Sequence, residues 1–130
     1  FATPGVNIGL FCSTPMVAVS RKINRKKMME MLLLGDKIDS KTAVEHGLIN
    51  RRVPAKLLNK AVSEVANKIA SKSPLTLKIG KEAFYKQLEM PLSEAYEYTS
   101  KVMIHNMQAR DAEEGISAFI EKRLPVWTGK

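Results

Sequence analysis

The first twenty residues, Phe1 to Ser20 (FATPGVNIGLFCSTPMVAVS), contain no charged side chain, although charged residues make up 26% of the chain. Surface loops normally carry charge, because water solvates it and a protein interior does not. A neutral stretch rich in Phe, Ile, Leu and Val is therefore expected to be buried. Pro4, Gly5, Gly9 and Pro15 interrupt it, so it cannot form one long helix. The expected layout is a strand end at Phe1–Thr3, a turn at Pro4-Gly5 and an irregular segment over Val6–Phe11. A helix should follow, with Thr14 as N-cap and Pro15 at its first position. Buried irregular backbone must have its N–H and C=O groups satisfied. Such a segment serves either as the wall of a pocket or as plain core.

The chain has 130 residues and a formal net charge of +8. Its size suits one domain, yet it starts at Phe1 as though inside an element. We expect it to be a piece of a longer chain. No secretory pattern is visible, and no apolar run approaches the roughly 20 residues that span a bilayer. The lone Cys12 has no partner, which favours a reducing compartment; it reads as a small buried hydrophobe. The positive charge invites a polyanion, and it clusters: Arg21, Lys22, Arg25, Lys26 and Lys27 are five cations within seven residues. That cluster is either a solvated helix junction or a phosphate-binding rim. No aromatic side chain is interleaved with it, so a base-stacking platform is unsupported.

Beyond the cluster, local signals mark a succession of helices. Lys26–Leu34 should be helical and end at Gly35. Asp39 or Ser40 should cap a short helix over Lys41–His46, ended by Gly47. Leu48–Val53 is expected as a short strand or extended connection. After Pro54, Leu58, Val62, Val65 and Ile69 recur at helical spacing. Ser73-Pro74 breaks that helix, and the next spans about Leu75–Leu88. There Gly80, costly in a helix interior, suggests close helix–helix approach. Pro91 precedes a helix over Leu92–Met107 with Ala95, Tyr96, Thr99, Val102 and Met103 on one stripe. Asp111 and Glu114 resemble a capping box for a last helix reaching about Arg123. Metal-ligand spacing is absent around His46 and His105, and Gly5 and Gly9 lack the context of a phosphate loop. Ser13 and Thr14 have no nearby His to activate them.

Three stretches together resemble the crotonase superfamily, the enoyl-CoA hydratases and isomerases. They are Phe1–Leu10 (FATPGVNIGL), Met28–Pro54 (MMEMLLLGDKIDSKTAVEHGLINRRVP) and Gly115–Arg123 (GISAFIEKR). Phe84–Leu88 and Pro125–Trp127 look like the branch of the enoyl-CoA hydratase domain-containing 3 proteins. The resemblance implies an α/β chain about twice as long, of which this would be the C-terminal half of a ββα-spiral crotonase fold. Residues 1–54 would end the spiral core and wall an acyl pocket through Pro4, Gly5, Val6 and Leu10. Residues 55–130 would form a mostly helical region used in trimer packing. Phe119 and Lys122 match a Phe and a Lys that help hold coenzyme A; the plainer reading is a core Phe and a solvated Lys.

The resemblance also implies an acyl-CoA substrate and no separate cofactor, coenzyme A being part of the substrate. Partners would be copies of the chain, as a homotrimer or homohexamer, without membrane insertion and without nucleic acid. The location implied is the cytoplasm in a bacterium or the mitochondrial matrix in a eukaryote. One departure matters. Hydratases of the family carry a glutamate where this chain has Gly5, and glycine cannot activate water. No catalytic residue is therefore visible in this segment, and ordinary two-glutamate hydration is not expected. The expected activity is stabilisation of a thioester enolate in an oxyanion hole, ending in isomerisation, hydrolysis or decarboxylation. The alternatives are a CoA-binding or oligomer-forming protein without turnover, and RNA binding through the 21–27 face.

Overall fold

A computed structural model describes all residues, 1–130. It contains seven α-helices and no β-strand: α1 (Ser13–Val19), α2 (Arg25–Leu34), α3 (Ser40–Glu45), α4 (Leu58–Ala70), α5 (Pro74–Gln87), α6 (Leu92–Met107) and α7 (Arg110–Ile120). Short 3₁₀ turns cover Pro4–Ile8 and Ala55–Leu57. The chain divides into two units, Phe1–Leu58 and Asn59–Lys130.

The first unit is built around Ile23, Met28, Met31 and Leu32, with Met16, Val19, Ile38 and Leu48 packed on them. Asn24 starts α2 by accepting from the N–H groups of Lys26 and Lys27 at 2.9 and 3.4 Å. Gly35 ends it with φ of 67°, its N–H bonded to the Met31 carbonyl. That left-handed turn is open to glycine at little cost. Asp39 starts α3 by accepting from Thr42 N at 2.8 Å. The helix ends at Glu45, and Gly47 at φ of 75° reverses the chain.

Several expectations are corrected by this arrangement. Phe1–Thr3 is not a strand. Phe1 and Ile38 exchange a reciprocal pair of backbone bonds, 2.9 and 2.8 Å, but a single pair does not make a ladder. Of the two readings of Leu48–Val53, strand or connection, the strand is excluded. The N–H groups of Leu48 and Ile49 both turn back to the Ala43 carbonyl and are lost to sheet pairing. Cys12, not Thr14, stands at the N-cap of α1, so Pro15 is the third residue of that helix. Of the neutral Phe1–Ser20 stretch only Thr3 is buried; Ile8 and Leu10 are 76% and 63% exposed.

In the second unit, α5 packs against α6 and α6 against α7. Ser73 caps α5 by accepting from Thr76 N at 3.1 Å, with Pro74 at the first helical position. The stripe of α4 forms its helix but lies open, with Leu58, Val62 and Ile69 more than half exposed. Leu92, Tyr96, Met103 and Met107 of α6 are open too. At Gly80 an added Cβ would meet nothing within 4 Å. The close approach expected there is absent from this chain.

Candidate functional site

Gly5 is the second residue of the first 3₁₀ turn, between Pro4 and Val6. Its carbonyl accepts from Leu10 N at 2.9 Å, and its N–H donates to the Cys12 sulfur at 3.2 Å. The turn thus brings Pro4, Gly5, Val6 and Leu10 into one compact loop closed by Cys12. The space beside Gly5 is already taken. A Cβ there would stand 2.8 Å from Cys12 Sγ and 2.9 Å from the Leu10 carbonyl oxygen, closer than carbon packs against either atom. Glycine at this position is a requirement of the local packing as well as a missing carboxylate. Residues 1–29 contain no Asp or Glu at all.

Phe119 and Lys122 lie in the other unit. Phe119 sits on α7 and is 85% exposed. Lys122 lies beyond α7, which ends at Ile120 and not near Arg123 as expected. Its backbone is left-handed, with φ of 56°. Lys122 N donates to the Phe119 carbonyl at 3.3 Å and Arg123 N to the Ala118 carbonyl at 3.0 Å. These two bonds form a Schellman end, in which glycine usually occupies the left-handed position. A lysine there carries strain of about 1 kcal/mol.

Around α7 stands a polar clamp that local sequence patterns do not reveal. Asp111 is 2% exposed. Its carboxylate accepts from Ser73 Oγ at 2.6 Å, from Thr128 N at 2.7 Å and Thr128 Oγ1 at 2.9 Å, and from Gly129 N. Its own N–H donates to the Lys130 carbonyl at 3.0 Å. The Ser73 hydroxyl, with the Thr128 and Gly129 donors, holds the Asp111 carboxyl down at about 2. Glu114 accepts both Arg123 NH groups, at 2.6 and 2.9 Å, and Val126 N at 2.7 Å. The Arg123 hydrogen bonds, with that from Val126, hold it at about 2 as well. Arg123 is pushed up in turn by Glu114 and Glu121.

The expected capping box is therefore absent: Ala109 precedes α7 with no side-chain cap, and both carboxylates bind the tail instead. Trp127 completes the clamp, its indole donating to the Ser71 carbonyl at 2.8 Å. Its ring lies against Gly115, where a Cβ would come within 3.2 Å. Leu77, Ile116, Phe119 and Trp127 line an apolar groove of about 670 Å³, within the range of small-molecule sites.

Likeness to solved enoyl-CoA hydratases assigns this order of helices to the crotonase fold. The chain closely matches solved members. It superposes on an enoyl-CoA hydratase from Mycobacterium smegmatis with a TM-score of 0.95 at 42% identity, covering 98% of this chain and 49% of that one. The human enoyl-CoA hydratase domain-containing protein 3 gives 0.94 at 50% identity, covering 98% and 50%. Residues 1–130 match the family described as enoyl-CoA hydratase/isomerase, and the chain belongs to that family. Among curated relatives, the mitochondrial enoyl-CoA hydratase domain-containing protein 3 of Rattus norvegicus is 50% identical over 98% of this chain and 43% of its own length. Carnitinyl-CoA dehydratase of Citrobacter koseri is 31% identical over 100% and 52%. The chain spans about half the length of the relatives it matches.

Proposed function

We propose that this chain supplies part of an acyl-CoA site in which a thioester enolate is stabilised and ordinary two-glutamate hydration does not occur. The oxyanion-hole donors and any acid or base would come from residues outside these 130. Pro4, Gly5, Val6 and Leu10 would wall the acyl chain, and Phe119 and Lys122 would hold coenzyme A by apolar cover and a phosphate contact. The observation that carries this reading is the closed space at Gly5 in a chain that matches the family throughout. A homotrimer or homohexamer and a mitochondrial location are part of the proposal. The location draws support from the mitochondrial names of the relatives.

The test is a turnover screen of the full-length protein on enoyl-, 3-hydroxyacyl- and malonyl-type CoA thioesters. Isomerisation, hydrolysis or decarboxylation supports the reading. Hydration of crotonyl-CoA at rates ordinary for enzymes, about 10 per second, defeats it. A second reading, CoA binding without turnover, is favoured by the absence of any carboxylate from residues 1–29. Tight CoA binding with no product from any thioester would select it.

Lys122 separates a ligand role from a purely structural one. Lys122→Gly should stabilise the protein by about 0.5–1 kcal/mol by relieving the left-handed backbone. It should also weaken CoA binding about tenfold or more through loss of a charged hydrogen bond. Calorimetry for both quantities checks this, and higher stability with unchanged CoA affinity would remove Lys122 from the site.

A further inference from the structure

The basic cluster has no part in the proposed acyl-CoA site, and we propose that it is a docking surface for an anionic phospholipid bilayer. The charge of the protein is unevenly placed. The unit Phe1–Leu58 holds ten Lys and Arg side chains against four carboxylates, whereas Asn59–Lys130 holds eleven against nine. Within the first unit the earliest carboxylate is Glu30, which pairs with Lys27, so residues 1–29 themselves carry cations and no carboxylate.

The fold turns these cations outward. Ile23 and Met28 are buried in the core at 7% and 2% exposure, which pins the turn between them. Arg21, Lys22, Arg25 and Lys26 are exposed. Lys27 pairs with Glu30 at 3.0 Å and Arg21 donates to the Val17 carbonyl at 2.8 Å. Lys22, Arg25 and Lys26 make no ion pair.

Their placement works against the helix that carries them. Arg25, Lys26 and Lys27 fill the first turn of α2, which has no acidic residue there. A helix N-terminus is the positive end of its dipole and favours anions. Three cations at that end lower the stability of α2 unless an external anion offsets them. The charge pattern is therefore poorly explained by folding alone.

The chemistry favours a lipid surface over nucleic acid. No Phe, Tyr or Trp is interleaved with the cations, so the cluster itself offers no ring to stack on a base. The side-chain oxygen of Asn24, the one amide among the cations, is occupied in capping α2. What remains is an array of point charges beside the uncharged helix α1, whose Val17 is half exposed. Such an array recognises many headgroups at once, as basic segments do on anionic leaflets.

The test uses the full-length protein, sedimented with phosphatidylcholine vesicles with or without phosphatidylglycerol. Binding to the anionic vesicles should exceed binding to neutral ones by about a hundredfold, fall as salt rises, and drop roughly thirtyfold in Arg25→Gln/Lys26→Gln. That variant should melt at or above the wild-type temperature, because it relieves the start of α2. Lys22→Ser, outside the helix, should lower vesicle binding about fivefold. Equal binding to both vesicles overturns the proposal. So does an equal loss from Lys60→Gln/Lys68→Gln, since binding would then follow net charge alone. Tight binding of duplex or single-stranded RNA with no vesicle binding assigns the face to nucleic acid and overturns it as well. Displacement by inorganic phosphate beyond the effect of chloride at equal ionic strength would mean a free-phosphate site, with the same consequence.

Discussion

Full-length protein carrying Gly5→Glu will gain no crotonyl-CoA hydration and will lose stability. Restoring a missing acid ordinarily promises a gain of about 10²–10⁴ in rate. Here the first carbon of any side chain meets Cys12 Sγ at 2.8 Å and the Leu10 carbonyl oxygen at 2.9 Å. The sulfur can be moved, but the carbonyl belongs to the residue whose own N–H closes the loop, Leu10 N to Gly5 O at 2.9 Å. Forcing a side chain in should cost about 1–3 kcal/mol, as overpacking generally does. The loop will also shift, taking the new carboxylate away from any substrate. Gly5→Glu/Cys12→Gly should recover part of the stability and still show no hydration, because the Leu10 oxygen remains. Thermal melts and a crotonyl-CoA assay decide the matter. A rise of a hundredfold or more in hydration by the single variant, with an unchanged melt, would mean that position 5 is open to an acid.

Asp111→Ala will release the C-terminal tail and destabilise the helices that the tail ties together. One carboxylate receives the Ser73 hydroxyl, the Thr128 N–H and hydroxyl and the Gly129 N–H. Removing it leaves those donors facing a hole at a position that is 2% exposed. It also frees the Ser73 hydroxyl, whose oxygen caps α5. A fall in melting temperature of roughly 5–10 °C is expected for a change of this kind. Carboxypeptidase should cut into residues 124–130 faster, and Trp127 fluorescence should move toward that of a solvated indole. Leaving all three readouts unchanged would show that the clamp contributes nothing.

The same carboxylates set an acid limit. Asp111 is held at about 2 against 3.8 when free, and Glu114 at about 2 against 4.5. A depressed carboxyl stabilises the fold above its free value and stops doing so as pH falls toward the folded one. The clamp should thus be at full strength above about pH 5 and weaken between about pH 4.5 and 2. Trp127 fluorescence followed over that range should change there in the wild type. In Asp111→Ala the tail should already be released at neutral pH, and that change should largely disappear.

The helices were legible because their signals are short. Asn24 escaped notice as a cap, but Gly35, Asp39, Ser73-Pro74 and Pro91 lie within a few residues of the turns they start or stop. Capping is a bond between near neighbours. The family was legible for a related reason: its motifs are runs of residues, and Met28–Pro54 preserves one whole. The three-dimensional arrangement decided the rest. Asp111 looked like a capping residue because its partner Glu114 is three positions away. Its real partners are Ser73, 38 residues before it, and Thr128, 17 after it. Lys122 looked like a helical neighbour of Phe119, yet two backbone bonds end the helix first and turn the lysine left-handed. The neutral opening stretch stated only that water is a poor solvent for it. Which surface covers Ile8, Leu10 and Phe11 depends on atoms that no local pattern names. Capping and turn signals act between residues a few positions apart, so sequence alone placed most of the helices. Whether a face is buried, a carboxylate clamped or a glycine irreplaceable depends on what the fold carries to it from far along the chain, and only the tertiary structure decided that.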